Sequence, residues 1–113
     1  MGFEVFTAQV ESGRGATKIV LSGELDMATA PILEEHLVRA ESDGATTILV
    51  DLRELTFLDS TGLHAVLAAR NRAEANRRQL LLIGATAPVR RVFELTGQDL
   101  LLDGENVASV LQG

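Results

Sequence analysis

The spacing of hydrophobic positions changes several times along the chain, and each change marks an expected element. Phe3 to Glu11 alternates loosely and predicts an edge strand. Ser12-Gly13-Arg14-Gly15 is a turn signal, and Thr17 to Gly23 reads as a second strand, so the two are expected to form a hairpin. From Ala28 to Glu41 the period becomes helical, with Ala30, Leu33, Leu37 and Ala40 on one face and Pro31 suited to a first turn. Thr46 to Leu52 is nearly all apolar, as in a central strand buried on both faces. A loop is expected from Arg53 to Asp59, then a long helix from Ser60 to Arg78. Gln79 to Gly84 predicts another buried strand, and Val89 to Thr96 a short helix capped by Gly97. Leu100 to Leu102 is read as a short last strand and Glu105 to Leu111 as a last helix.

The expected order is therefore β-β-α-β-α-β-α-(β)-α. It implies an α/β fold whose mixed sheet has a parallel centre, an N-terminal hairpin strand and about four helices. At 113 residues, with no repeat, linker or low-complexity segment, residues 1–113 read as a single domain. The apolar fraction is 46%, yet all of the aromatic residues are Phe, so the core must be built from aliphatic side chains.

Charge and composition narrow the function classes. The net charge is −6, which argues against nucleic acid and anionic membrane surfaces as partners. Cysteine is absent, excluding disulfides and thiolate metal sites. No signal peptide and no apolar run of membrane-spanning length is present, so the expected location is cytoplasmic. His36 and His64 are isolated, without a second ligand at metal spacing, and no cofactor is expected.

Candidate chemistry gathers in Thr56-Phe57-Leu58-Asp59-Ser60-Thr61-Gly62-Leu63, between the central strand and the long helix. Ligands and partners meet open α/β sheets at this edge. Asp59, Ser60 and Thr61 are all good helix caps, and one cap would account for one of them. Gly62 costs up to ~1 kcal/mol in a first helical turn, which suggests close approach to its backbone. A helix N-terminus would also tolerate an added phosphate. Asp26 and Thr29 fall at the same edge, as partner contacts or as loop and capping residues. Phe57 and Leu58 are candidates for an apolar contact beside this segment, at least one of them packing beneath the helix instead. Asp51 reads as a strand-end acid with a backbone partner, and Arg70, Arg72, Arg77 and Arg78 as a solvated basic face.

These residues resemble a known family. Leu58-Asp59-Ser60-Thr61-Gly62-Leu63 is similar to the Asp-Ser-[Ser/Thr]-Gly-Leu signature of bacterial anti-sigma-factor antagonists, which are STAS domains. Leu21-Ser22-Gly23-Glu24-Leu25-Asp26, followed by Thr29-Ala30-Pro31, resembles that family's segment before its first helix. Phe93-Glu94-Leu95-Thr96-Gly97 resembles its late helix-Gly element. The resemblance implies a STAS-type fold and a non-enzymatic role: the unphosphorylated form binds an anti-sigma factor that is also a serine kinase, and so frees a sigma factor. It implies phosphorylation at Ser60, with Thr61 as second choice, and a serine phosphatase that resets the switch. Asp26, Thr29, Phe57, Leu58, Asp59, Thr61, Gly62 and His64 are the implied partner-binding set. A STAS regulatory module of a stress-sensing or transporter complex, without a phosphorylation cycle, is the alternative.

Other classes fit less well. A nucleophile elbow needs Gly two residues before Ser60, where Leu58 stands, and Gly62 lies three residues after Asp59, not two as in an aspartic protease. A response-regulator receiver needs a late Lys, and the sole lysine is Lys18. Ser12-Gly13-Arg14-Gly15 lacks the ending of a P-loop.

Overall fold

The computed structural model describes residues 5–98 together with Leu101 and Leu102. The chain opens with β1 (Thr7–Ser12) and β2 (Ala16–Leu25), an antiparallel hairpin closed by Gly13 N–H donating to the Ala16 carbonyl at 2.8 Å. Then follow α1 (Ala30–Ser42), β3 (Thr47–Leu58), α2 (Ser60–Ala75), β4 (Gln79–Ile83) and α3 (Ala87–Leu95). The sheet order is β1-β2-β3-β4, with β2, β3 and β4 parallel to one another. A parallel bridge joins Leu82 to Leu102, where a last strand was expected. The expected last helix, Glu105 to Leu111, lies outside the described residues, among which there are three helices.

The sequence pattern accounts for most of these elements. Ala30, Leu33, Leu37 and Ala40 are the buried stripe of α1, and the last three meet Ile19, Leu21, Ile48, Val50 and Leu52 in one core. Leu49, Leu81 and Ile83 form a smaller cluster, consistent with a central strand apolar on both faces. Gly97 has φ +74° past the end of α3, and Gln98 N–H donates to the Phe93 carbonyl at 2.7 Å, the helix-ending turn that its glycine signalled.

The structure departs from the expected pattern in three places here. Arg53 to Asp59 is not a loop: β3 runs on through Leu58, paired with β2 at Glu24↔Phe57 and Leu25↔Leu58. Register shifts between Val20 and Ser22 and between Gly23 and Glu24 break the two-residue alternation. Leu55 and Leu58 are buried three residues apart, a spacing that does not read as a strand. Nor is the basic run of α2 a simple solvated face. Arg72 reaches α1, with Nε 2.9 Å from Glu41 and Nη2 3.1 Å from Glu34. Arg78 donates to the backbone carbonyls of Glu41 and Ala45, both at 3.0 Å. These side chains tie the ends of α1 and α2 together. The long helix stops at Ala75, three residues earlier than expected, and Arg77 takes φ +58° in the turn into β4.

Candidate functional site

The carboxyl ends of β2 and β3 deliver two short segments to one edge of the sheet. Leu25 and Leu58 are register partners, so Asp26 and Asp59 leave the sheet side by side. Asp59 N–H donates to the Leu25 carbonyl at 3.2 Å, tying the two exits together.

Asp59 is the N-cap of α2. Its backbone is extended, and its Oδ1 accepts the Gly62 N–H at 2.8 Å. The cap therefore belongs to one of the three candidates. Ser60 and Thr61 occupy the first helical turn, both exposed, and neither hydroxyl has a hydrogen-bond partner among the described residues. Gly62 is buried because the end of β2 crosses it. A Cβ there would stand 2.7 Å from the Leu25 carbonyl oxygen and 2.8 Å from Leu58 Cδ1. The close approach that glycine signalled comes from the fold's own backbone.

The other segment is equally well fixed. Asp26 Oδ1 accepts N–H groups from Ala28 at 2.9 Å and Thr29 at 3.1 Å, closing a turn before α1. The Thr29 hydroxyl donates to the Glu24 carbonyl at 2.8 Å and accepts from Asp26 N–H at 2.9 Å. Thr29 stands at the N-cap position of α1 without capping it, since its oxygen is turned back to the strand.

The surface around these segments is apolar and acidic. Phe57 is 46% exposed, whereas Leu58 is buried beneath α2. Met27, 75% exposed at the tip of the Asp26 turn, enlarges the apolar area. No sequence pattern pointed to Met27; an apolar residue in the short gap between the second strand and the first helix was the available signal. His64 is exposed one helical turn beyond Ser60, on the same face of α2. Glu24, Asp26 and Asp59 supply negative charge, and no Lys or Arg occurs within residues 24–30 or 57–64. The described residues hold no group of three or more His, Cys, Asp or Glu that could bind a metal ion.

Asp51 lies apart from this edge, within β3 and fully buried. Its carboxylate accepts Nη2 of Arg53 at 2.6 Å and Nε at 3.0 Å, and Lys18 Nζ lies 3.6 Å away. It also accepts the backbone N–H of Arg53 at 3.0 Å. Burial pushes its carboxyl up, but the hydrogen bonds and charge of Arg53, helped by Lys18, more than offset this and hold it below the usual range. This is a mid-strand ion pair, not the strand-end acid expected.

Comparison with known proteins places this geometry among regulators. The family model for the Mlab, STAS domain matches residues 8–103. An anti-sigma-B factor antagonist of Staphylococcus aureus is 35% identical over 85 residues, covering 74% of this chain and 79% of that protein. The unphosphorylated form of the anti-sigma factor antagonist SpoIIAA superposes with a TM-score of 0.77 at 30% identity, covering 90% of this chain and 92% of the other. The phosphorylated form of the Bacillus cell fate determinant SpoIIAA gives 0.73 at 28%, covering 95% and 100%.

Proposed function

The chain belongs to the STAS domain family, and from that premise we propose that it is an anti-sigma-factor antagonist, acting in the cytoplasm and switched by phosphorylation of Ser60. In this reading the unphosphorylated protein binds an anti-sigma factor that is also a serine kinase, displacing a sigma factor. The kinase then transfers the γ-phosphoryl group of ATP to Ser60 Oγ and lets go. A serine phosphatase removes the phosphate. The chain is substrate and ligand in this cycle, with no chemistry of its own.

The observation that carries the reading is the division of labour at the start of α2. Asp59 caps the helix, while the Ser60 hydroxyl stands exposed and unengaged beside an apolar, acidic surface. A kinase can reach such a hydroxyl without unfolding anything. That SpoIIAA exists in both phosphorylated and unphosphorylated forms supports the same conclusion. The docking surface is taken to be Asp26, Thr29, Met27, Phe57, Asp59, Thr61 and His64, with Leu58 and Gly62 supporting it from below.

Phosphorylation adds about −1.5 to −2 charges at pH 7. Within the domain the helix N-terminus favours that charge and Asp59 opposes it, so little change of fold is expected. At an interface shaped for a neutral hydroxyl, an unpaired dianion costs several kcal/mol, roughly a factor of 10² or more in affinity. Intact-mass measurement after incubation with the cognate anti-sigma factor and ATP tests the proposal. One phosphate is expected on the wild type and none on Ser60→Ala, which binds the kinase without being released. A folded Ser60→Ala protein that fails to bind, or phosphate placed on Thr61 instead, would overturn it.

A further inference from the structure

We propose that the groove between β1 and α1 is a binding site for a small apolar monocarboxylate. This groove lies at the hairpin end of the molecule, beside the start of β2, whereas Ser60 follows the strand ends at the opposite edge.

β1 is an edge strand, and the helix layer only partly covers its inner face. Ala8, Val10 and Ser12 pair with Leu21, Ile19 and Thr17 of β2, of which Leu21 and Ile19 are core residues. Val10, on that same face, remains 45% exposed. The space left beside α1 is a groove of about 380 Å³, within the size range of small-ligand sites. Ala8, Val10 and Ala40 give it an apolar floor, and His36, Arg39 and Asp43 line its α1 side.

Two features point to a ligand. Thr17 also lines the groove and is only 6% exposed, yet its hydroxyl has no hydrogen-bond partner among the described residues. Its oxygen is not sealed off from solvent, so the hydroxyl is open to the groove and free to bond a ligand there. Next, Arg39 lines the groove and, like Arg14, Arg77, Arg90 and Arg91, has no ion pair or side-chain hydrogen bond among the described residues, so its guanidinium is not committed elsewhere. Its guanidinium offers planar donors matched to a carboxylate. His36 stands three residues before it on α1, and Asp43, the C-cap of that helix, four after.

These groups select a ligand class. Arg39, with His36 beside it, receives one carboxylate. Asp43 repels any anion and a doubly charged one more strongly, so a monocarboxylate is preferred over phosphate dianions and dicarboxylates. The apolar floor calls for a short hydrocarbon tail, and Thr17 bonds the carboxylate or a polar group beside it. The occupant is therefore a small molecule with one carboxylate and a few carbons.

Hexanoate is a suitable probe. In an amide NMR titration of the full chain we expect saturable shifts confined to β1, the start of β2 and the second half of α1. The affinity should be on the order of millimolar, as for a ligand of so few atoms. Acetate lacks the tail and hexanol lacks the charge, so each should bind about tenfold more weakly or worse. Arg39→Gln changes an exposed side chain, so the spectrum elsewhere should stay put while hexanoate affinity falls about tenfold. Thr17→Val should weaken binding by a smaller factor, and the Arg39 variant decides the matter if Thr17→Val is poorly folded. Absence of saturable shifts, shifts scattered outside the groove, binding of inorganic phosphate in place of hexanoate, or an Arg39→Gln protein that binds hexanoate as well as wild type would each overturn the proposal.

Discussion

Replacing Gly62 with alanine should reverse a general rule. At an ordinary helical position the change stabilises a protein by about 0.5–1 kcal/mol, through better propensity and a less flexible unfolded chain. At Gly62 the added Cβ would lie 2.7 Å from the Leu25 carbonyl oxygen, 2.8 Å from Leu58 Cδ1 and 3.0 Å from Leu25 Cγ. The nearest of these atoms is backbone at the end of a paired strand and cannot rotate away. Leu25 and Leu58 are both buried, so their side chains have little room to yield. Overpacking of this kind costs about 1–3 kcal/mol. Setting ~1 kcal/mol of propensity against it leaves a net destabilisation centred near 1 kcal/mol. Urea unfolding followed by circular dichroism should show a lower midpoint at an unchanged slope, since the surface exposed on unfolding stays the same. In a thermal scan the expected fall in Tm is about 4 °C. The Asp59 amide, which donates to the same Leu25 carbonyl, should show one of the largest NMR shifts. A Gly62→Ala protein more stable than wild type by about 0.5 kcal/mol would show that the crossing is loose and the reasoning wrong.

Three further outcomes are expected. Asp59→Ala should destabilise α2 by about 0.5–2 kcal/mol and Asp59→Asn by much less, because asparagine also caps; equal losses in urea titrations would argue against the cap. Ser60→Ala should change stability by less than about 0.5 kcal/mol, since the Ser60 side chain caps nothing; a loss of 1 kcal/mol or more would mean that it does. Asp51→Asn leaves Arg53 and Lys18 facing a neutral group and should cost about 2–3 kcal/mol, below the range for a fully buried pair because both cations are partly exposed. The Asp51 carboxyl is held below its ordinary value of 3.8, so its stabilisation is complete above that pH and is lost as pH falls through the lower folded value. The gap between wild type and Asp51→Asn should therefore narrow below about pH 4, and a gap constant from pH 7 to pH 2 would contradict the assignment.

Much of the architecture was legible in the chain because local pattern and tertiary role agree. The buried stripe of α1 is the stripe its sequence displays, and the start of α2 falls where three capping residues stand in a row. The signals failed where long-range pairing overrode local pattern. The second half of β3 is held by its ladder with β2 across two register shifts, and no alternation within Arg53 to Leu58 could reveal it. The Arg72 contacts with Glu34 and Glu41 join residues far apart in sequence, so they looked like one solvated helix face. At the site itself, sequence could narrow the cap to three residues but could not choose among them. Met27 was invisible because its exposure depends on the Asp26 turn that lifts it from the surface.

Capping by Asp59 has a consequence for how such a switch can change over generations. The hydroxyl that would carry the signal and the carboxylate that starts the helix belong to different residues. Position 60 is therefore structurally replaceable: alanine, threonine or aspartate there leaves the helix start intact. A single codon change could fix the protein in an unmodifiable state, or mimic the charged one, with no folding defect to select against it. Position 59 has no such freedom, because a change there disturbs the scaffold and, in the proposed function, the docking surface with it. Regulation can thus be gained or retired within this fold faster than the fold itself can drift.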